Sequence, residues 1–213
     1  MASDPTMACR RKSGDAVSVP FRRMVKGIDG YAARRIVGKQ TTDMNIALGS
    51  DMQAEVVEAV AAWLQRQGHK VVPFGAVGGG GPVSWSVVAV QAASAVAVGQ
   101  CDQAVLFCWT GTGVSLAANK VRGIRAALCG DAATAAGARE WNDANVLAMS
   151  IRTTTPALAE EMLEAWFRQA PSEASSDLAA LDWLSAWEQG VERPAAGPAE
   201  PVRQPPPDNW AII

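Results

Sequence analysis

Between residues 44 and 168, short runs of β-branched and apolar residues alternate with longer stretches whose apolar residues recur at helical spacing. One such stretch, Ala54–Gln67, puts Val56, Val60 and Trp63 on one face and is followed by Gly68, a residue typical of helix ends. The same pattern predicts strands at Asn45–Leu48, Lys70–Phe74, Ala104–Phe107, Ile124–Leu128 and Asn145–Met149. It also predicts helices at Val83–Val98, Gly113–Val121, Asp131–Trp141 and Pro156–Arg168.

Strict alternation of strands and helices is typical of an α/β protein. The pattern therefore predicts a three-layer, doubly wound, Rossmann-like sandwich with a five-stranded parallel sheet and helices on both faces. Ligands of such sheets bind at the carboxyl ends of the strands. The residues expected at that edge are Gly49–Met52, Gly75–Gly81, Cys108–Gly113, Cys129–Asp131 and Ser150–Thr155.

The two ends of the chain differ from this core in composition. Residues 1–43 carry an excess of five positive charges, against an excess of seven negative charges in residues 44–213, and show weak periodicity. We expect an irregular basic extension at 1–43 and a single domain at 44–168. Residues 169–213 are expected to be a second extension with one short helix, Asp177–Gln189, and a final Pro205-Pro206-Pro207 run.

Composition excludes several classes of function. The 213 residues have a formal net charge of −2, which argues against nucleic acid or an anionic membrane as a partner. No apolar run reaches the roughly 20 residues of a membrane span, and no secretory signal is expected. The four cysteines (9, 101, 108 and 129) lack metal-ligand spacing, so we interpret them as reduced thiols of a cytoplasmic protein. The chain has eight tryptophans but only one histidine.

The loop after the third predicted strand is the strongest candidate for chemistry. Cys108 lies where a buried strand ends, and Gly111 and Gly113 follow it at the start of a helix. The positive end of the helix would favour a thiolate, and backbone N–H groups would face a developing oxyanion. The alternative is that Cys108 is a small core residue and the glycines only form a tight turn.

A longer motif favours the functional interpretation. Residues 108–129 read CWTGTGVSLAANKVRGIRAALC, residues 138–148 read AREWNDANVLA, and the first strand reads NIALGSD up to Asp51. This set, within residues 44–168, resembles the ribose-5-phosphate isomerase B / galactose-6-phosphate isomerase family. The resemblance implies a metal-free and cofactor-free aldose–ketose isomerase of a small sugar or sugar phosphate. It also implies a homodimer with active sites at the subunit interface.

The resemblance assigns roles to individual residues. It implies that Cys108 is the base that moves a proton between C1 and C2, and that Thr110 moves a proton between the oxygens. The backbone of Gly111, Thr112 and Gly113 would steady a cis-enediolate. Asp51 would act with Thr110 as a proton carrier. Asp51 and Asn142 would also hold the sugar hydroxyls.

Four positions depart from the family pattern. Met52 and Trp141 stand where the family commonly has histidines for phosphate binding and ring opening. Trp85 replaces a site tyrosine, and Trp109 replaces the glycine after the catalytic cysteine. These tryptophans are either core or interface filler, or an apolar wall of a changed substrate pocket. We expect the changed pocket, because polar ligands are lost where ring surface is gained.

Other residues could replace the lost ligands. His69 falls at the amino end of the second strand, so we expect a surface turn residue away from Cys108. Arg152, beside the hydroxyls of Thr153–Thr155, could bind an anion. The Gly78–Gly81 run lacks a following Lys-Ser/Thr and is not a P-loop, so we expect a flexible loop.

Two functions from different classes follow. The first is an active isomerase that lacks the ring-opening histidine and prefers open-chain substrates such as short tetrose or pentose derivatives. The second is a non-catalytic sugar- or metabolite-binding protein with the same fold. A nucleotide-binding function has little support, because no GxGxxG motif follows the first strand.

Overall fold

A computed structural model describes residues 43–191 and the backbone of two short strands before them. Strands β1 (Ala8–Arg10) and β2 (Ala16–Ser18) pair antiparallel. We expected an irregular extension, but these six residues form strands. The sequence pattern does not predict them, because a three-residue strand is too short to produce a visible hydrophobic period. The rest of 1–42 and residues 192–213, including the Pro205-Pro206-Pro207 run, lie outside the described residues.

The main sheet has five parallel strands in the order β4-β3-β5-β7-β6. The strands are β3 (Asn45–Ser50), β4 (Lys70–Gly75), β5 (Gln103–Cys108), β6 (Ala126–Leu128) and β7 (Val146–Ser150). The helices are α1 (Glu55–Arg66), α2 (Trp85–Ala97), α3 (Thr112–Ala118), α4 (Ala132–Asn142), α5 (Pro156–Arg168) and α6 (Ser175–Glu188). The predicted doubly wound α/β fold is confirmed, and each predicted element of the core is present.

Side chains alternate between the two faces of the sheet. Ile46, Phe107 and Leu147 pack with α1, α4 and α5 in one buried cluster. Ala47 and Leu106 pack with α2 and α3 in the other. Both clusters are continuous across the sheet, so the molecule has three layers, as the pattern predicts for strands buried on both faces.

Two element boundaries differ from the prediction because of one side chain. The amide nitrogen of Asn119 donates to the carbonyl of Ala126, and the amide oxygen accepts from the backbone N–H of the same residue, both at 2.8 Å. This pairing ends α3 at Ala118 and not at Val121, and it fixes the start of β6 at Ala126 and not at Ile124. Asparagine side chains compete for backbone groups in this way at helix ends.

His69 is not the surface turn residue that we expected. It is only 7% exposed and stacks on Phe167, with ring centroids 4.7 Å apart. Its Nδ1 accepts a hydrogen bond of 3.4 Å from the backbone N–H of Met44. Burial lowers the pKa of His69, while the charge of Asp43 opposes that shift. The chain folds α5 over this turn, a tertiary contact that the local pattern does not contain.

The described helices include none that combines the length and the apolar character of a membrane span. The edge of the sheet where the strands end is called the carboxyl edge below, and the opposite edge is the amino edge.

Candidate active site

Cys108 is the last residue of β5 and lies at the carboxyl edge. It pairs in register with Ser150 at the end of β7 and is 4% exposed. Its side chain belongs to the cluster between the sheet and helices α2 and α3, and its thiol is free. The sulfur atom of Cys108 therefore lies under the loop that begins α3.

The turn after Cys108 depends on Gly111. Its backbone N–H donates to the carbonyl of Cys108 at 3.2 Å, and its φ of 73° is a conformation that favours glycine. A Cβ at this position would meet Leu128 Cδ1 at 2.6 Å and the Met149 carbonyl carbon at 2.9 Å. The turn directs the chain into α3, whose first N–H groups, at Thr112 and Gly113, have no partner within the helix. These donors come four and five residues after Cys108 and suit an oxyanion.

Two hydroxyl groups stand next to these donors. Thr110 Oγ1 and Thr112 Oγ1 share a hydrogen bond of 2.7 Å, and both residues are exposed. A hydroxyl both donates and accepts, so the pair can pass a proton to and from a bound oxygen.

Asp51 follows β3, the strand beside β5, at the same edge. Its carbonyl accepts from the backbone N–H of Val83 at 3.0 Å, and its side-chain Oδ1 is buried with no hydrogen-bond partner among the described residues. Burial raises the pKa of Asp51, while the backbone N–H groups of Asp51 and Met52 lower it in part. An unpartnered buried oxygen is costly in a free protein and is satisfied when a ligand hydroxyl donates to it.

Two of the predicted aromatic residues also lie at this edge. The Trp85 ring covers Gly113, because a Cβ on that glycine would be 3.0 Å from the indole. Trp109 directly follows the thiol and is 55% exposed, and Met52 is partly exposed beside Asp51. Trp85 therefore packs against the helix start that carries the backbone donors.

The loop after β7 is bound to the thiol-bearing loop. The backbone N–H groups of Ile151 and Arg152 donate to the carbonyls of Cys108 and Trp109, each at 3.0 Å, and Ser150 Oγ donates to the Trp109 carbonyl at 2.9 Å. Arg152 itself is exposed. Among the carboxyl-edge loops, all within residues 43–191, Arg152 is the one basic side chain.

Trp141 and Asn142 are not brought to this edge. They end α4, which runs from the carboxyl edge to the amino edge before β7 begins. The carbonyl of Asn142 accepts from Arg125 Nε at 3.1 Å, just before β6, and the Trp141 ring packs over Gly137 of its own helix. Within one chain, the predicted site is therefore divided between opposite edges of the sheet.

The sequence interpretation missed Leu128. It is 41% exposed at the end of β6, and its Cδ1 lies against Gly111. The expected edge segment began one residue later, at Cys129. Burial and the charge of Asp131 raise the pKa of the Cys129 thiol to about 12. Cys129 therefore stays protonated at neutral pH and is a poor nucleophile. No group of three metal-ligating side chains occurs in the part of the chain that the structure describes.

Comparison with known proteins identifies the family. The profile of the family described as Ribose/Galactose Isomerase matches residues 46–180. The chain belongs to this family. It is 36% identical to a D-erythrulose-4-phosphate isomerase of Pectobacterium atrosepticum over 58% of its own length and 82% of that protein. It is 37% identical to ribose-5-phosphate isomerase B of Escherichia coli, over 57% of this chain and 81% of that one.

Solved structures of the family have the same fold. Ribose-5-phosphate isomerase B of Clostridium thermocellum superposes with a TM-score of 0.64 at 33% identity, covering 70% of this chain and all of that one. The family resemblance noted in the sequence is confirmed, and the protein is an isomerase. Family membership also favours the isomerase over the non-catalytic binding protein.

Proposed function

We propose that this isomerase interconverts the aldose and ketose forms of a short, open-chain sugar phosphate through a cis-enediolate, with Cys108 as the base. The observation that carries the proposal is the grouping of thiol, hydroxyls and backbone donors within six residues, Cys108–Gly113, at the edge where α/β sheets bind ligands. Moving a proton beside a carbonyl requires a base and an oxyanion site close together.

The proposed reaction has two proton transfers. The thiolate of Cys108 takes the proton from C2 of the aldose, which leaves an enediolate, and then returns it to C1 to give the ketose. The N–H groups of Thr112 and Gly113 hold the negative oxygen. Thr110, hydrogen-bonded to the Thr112 hydroxyl, carries the oxygen-bound proton from O2 to O1. Replacing Thr110 with Val should lower kcat by about 10²-fold or more, in the range for lost proton-transfer groups.

Asp51 is proposed to hold and polarise a substrate hydroxyl beside C2. Its unpartnered Oδ1 is buried, so a hydroxyl of the substrate would supply the missing donor. This contact requires an exposed hydroxyl on an extended substrate.

The substrate class follows from the lack of histidine at the carboxyl edge. The only histidine, His69, is buried at the amino edge, so no imidazole of this chain is near Cys108 to open a sugar ring. A four-carbon sugar phosphorylated at O4 has no free hydroxyl that closes a five-membered ring, so it needs no such step. The relative named D-erythrulose-4-phosphate isomerase supports this class. We therefore propose a four-carbon 4-phosphate as substrate and ribose 5-phosphate as a poor one.

The pocket wall is proposed to be apolar. Trp85 and Trp109 offer ring surface to the C–H face of a sugar, and Met52 adds a further apolar side chain. Arg152 is proposed as the anion ligand on this side of the pocket. Arg152→Ala should weaken binding of an anionic substrate analogue. Arg66→Ala, at an exposed arginine paired with Glu160 on the outer helices, is the control and should leave binding unchanged.

We also propose a cytoplasmic homodimer in which Trp141 and Asn142 of a second copy complete each site. The position of Trp141 and Asn142 at the opposite edge of their own chain supports the shared site. The free thiol of Cys108, which must stay reduced, supports a cytoplasmic location. Mixing Cys108→Ala and Asn142→Ala chains tests the shared site. Each variant alone should be inactive, and the mixed dimer should regain one intact site. No recovery on mixing would contradict the proposal.

The test of substrate class is a comparison of kcat/KM. Erythrose 4-phosphate and erythrulose 4-phosphate should be turned over at least about 100-fold more efficiently than ribose 5-phosphate, a difference of about 2.7 kcal/mol in transition-state binding. Efficient turnover of ribose 5-phosphate would refute the proposed class.

A further inference from the structure

Helix α4 has a glycine at its centre, where a glycine is unfavourable. Gly137 is the sixth residue of Ala132–Asn142, and its backbone has the ordinary helical conformation that any L-residue adopts. A glycine inside a helix destabilises it relative to alanine, because glycine loses more backbone freedom on folding. The conformation of the backbone therefore does not explain the glycine at position 137.

The space beside Gly137 is filled by the indole ring of Trp141, one turn later in the same helix. A Cβ on Gly137 would lie 2.6 Å from Cζ3 of Trp141, 3.0 Å from Cε3 and 3.4 Å from Cη2. Apart from the backbone of the helix and the two chain neighbours of Gly137, these ring atoms are the nearest heavy atoms to that position. Carbon atoms in contact lie about 3.5–4.0 Å apart, so an alanine at 137 would push the indole outward by about 1 Å.

This close contact sets the direction of the Trp141 ring. Side chains of a helix tilt toward its N-terminus and cover the turn before their own Cα. The indole accordingly lies over Gly137, which is buried, and Trp141 is itself partly buried. Asn142, the last residue of α4, is exposed. The ring thus lies back along the helix, while Asn142 at the helix end remains open to solvent.

We propose that Gly137 is a positioning residue for the substrate site and acts through Trp141. The inference rests on the proposed function, in which Trp141 and Asn142 of one subunit complete the site of the other. Because Gly137 has no Cβ, the indole lies flat against α4 as a side wall of the pocket and leaves Asn142 accessible to the substrate. An indole displaced by alanine would narrow the pocket.

Displacing the ring should change substrate binding more than turnover, because the indole takes no part in proton transfer. A contact that is equally strong in the ground state and the transition state changes KM and leaves kcat unaltered. Gly137→Ala should therefore raise KM for erythrulose 4-phosphate by about 3–10-fold, the range of one aromatic contact. The kcat should stay within about 2-fold.

Mixed dimers separate this role from a purely structural one. Pairing a Cys108→Ala chain with an Asn142→Ala chain leaves one working site, to which the Cys108→Ala chain supplies Trp141 and Asn142. Gly137→Ala on that chain should raise KM by the full factor. The same substitution on the Asn142→Ala chain is the matched control, since the Trp141 of that chain belongs to the inactive site, and KM should not change.

A second measurement removes the ring itself. In a Trp141→Ala background, Gly137→Ala should raise KM no further. It should raise the urea unfolding midpoint there by about 0.3–0.5 M, the gain expected when alanine replaces a helical glycine. With Trp141 present, the added methyl group meets the indole, so this gain should be reduced or reversed.

Three results would overturn the inference while leaving the proposed function intact. They are an unchanged KM in Gly137→Ala, an equal rise in KM for both placements in the mixed dimer, and a rise that persists in the Trp141→Ala background. Failure of the proposed function gives a different pattern. An unchanged KM in Trp141→Ala, or inactive mixed dimers that keep Gly137, would refute the shared site and the inference together.

Discussion

Replacing Gly111 with Ala tests the turn that presents the backbone donors beside Cys108. The substituted residue would have to keep a φ of 73°, which costs an L-residue about 1 kcal/mol. Its Cβ would also lie 2.6 Å from Leu128 Cδ1 and 2.9 Å from the carbonyl carbon of Met149.

The two neighbours respond differently to the added methyl group. Leu128 is 41% exposed and can rotate away, but the Met149 backbone belongs to the buried strand β7 and cannot. Overpacking against fixed structure costs about 1–3 kcal/mol, so the total loss in unfolding free energy should be about 2–4 kcal/mol. With a urea dependence of about 2 kcal/mol per molar, the unfolding midpoint should fall by about 1–2 M.

Urea unfolding followed by tryptophan fluorescence measures this loss. Gly130→Ala is the matched control, since this glycine lies in the next loop of the same edge, with an ordinary φ and no atom within 4 Å of the added Cβ. It should be neutral or stabilise the protein by up to about 1 kcal/mol. A loss below about 0.5 kcal/mol for Gly111→Ala, or equal effects of the two substitutions, would refute the reasoning.

Three further predictions concern buried charge. Burial raises the pKa of Asp51, so the protonated carboxyl stabilises the fold at low pH, and this contribution is lost as the pH rises through the folded-state pKa. Asp51→Asn removes the buried charge, so it should raise the unfolding free energy at neutral pH while reducing turnover. Burial lowers the pKa of His69, so stability should fall as the pH drops below about 6.5, and urea midpoints at pH 7.5 and 5.5 should differ less in His69→Gln. Asp143 pairs with two arginines, one of them with a 6% exposed side chain, so Asp143→Asn should cost about 3 kcal/mol in urea unfolding. Glu160→Gln, which removes an exposed pair, should cost less than about 1 kcal/mol; equal losses would contradict the argument.

The sheet was predictable because both of its faces are buried. Strands such as β5, with every residue buried, are read as continuous apolar runs, and helices with one buried stripe show a 3.6-residue period. Their alternation determines the fold class. The thiol-bearing loop was predictable for the same reason, since Cys108 ends an obvious strand before a glycine-rich turn.

Contacts between distant segments were not predictable from local pattern. The local pattern predicts an exposed His69 because this residue stands beside Gly68 in a turn, but α5 brings Phe167 over its ring from about a hundred residues further along the chain. Leu128 was missed because its contact with Gly111 crosses between two loops. The division of Asn142 from Cys108 follows from the direction of α4, which the motif alone does not show.

The central claim is that Cys108 moves a proton between two carbons of an open-chain sugar phosphate. The most direct test is incorporation of solvent deuterium next to the carbonyl of erythrulose 4-phosphate, followed by NMR. Cys101→Ala is the control, because Cys101 and Cys108 belong to the same buried cluster and are 3% and 4% exposed. The account predicts deuterium incorporation by the unaltered protein and by Cys101→Ala, and a loss of about 10³-fold or more in Cys108→Ala. Equal incorporation by the two alanine variants would contradict it.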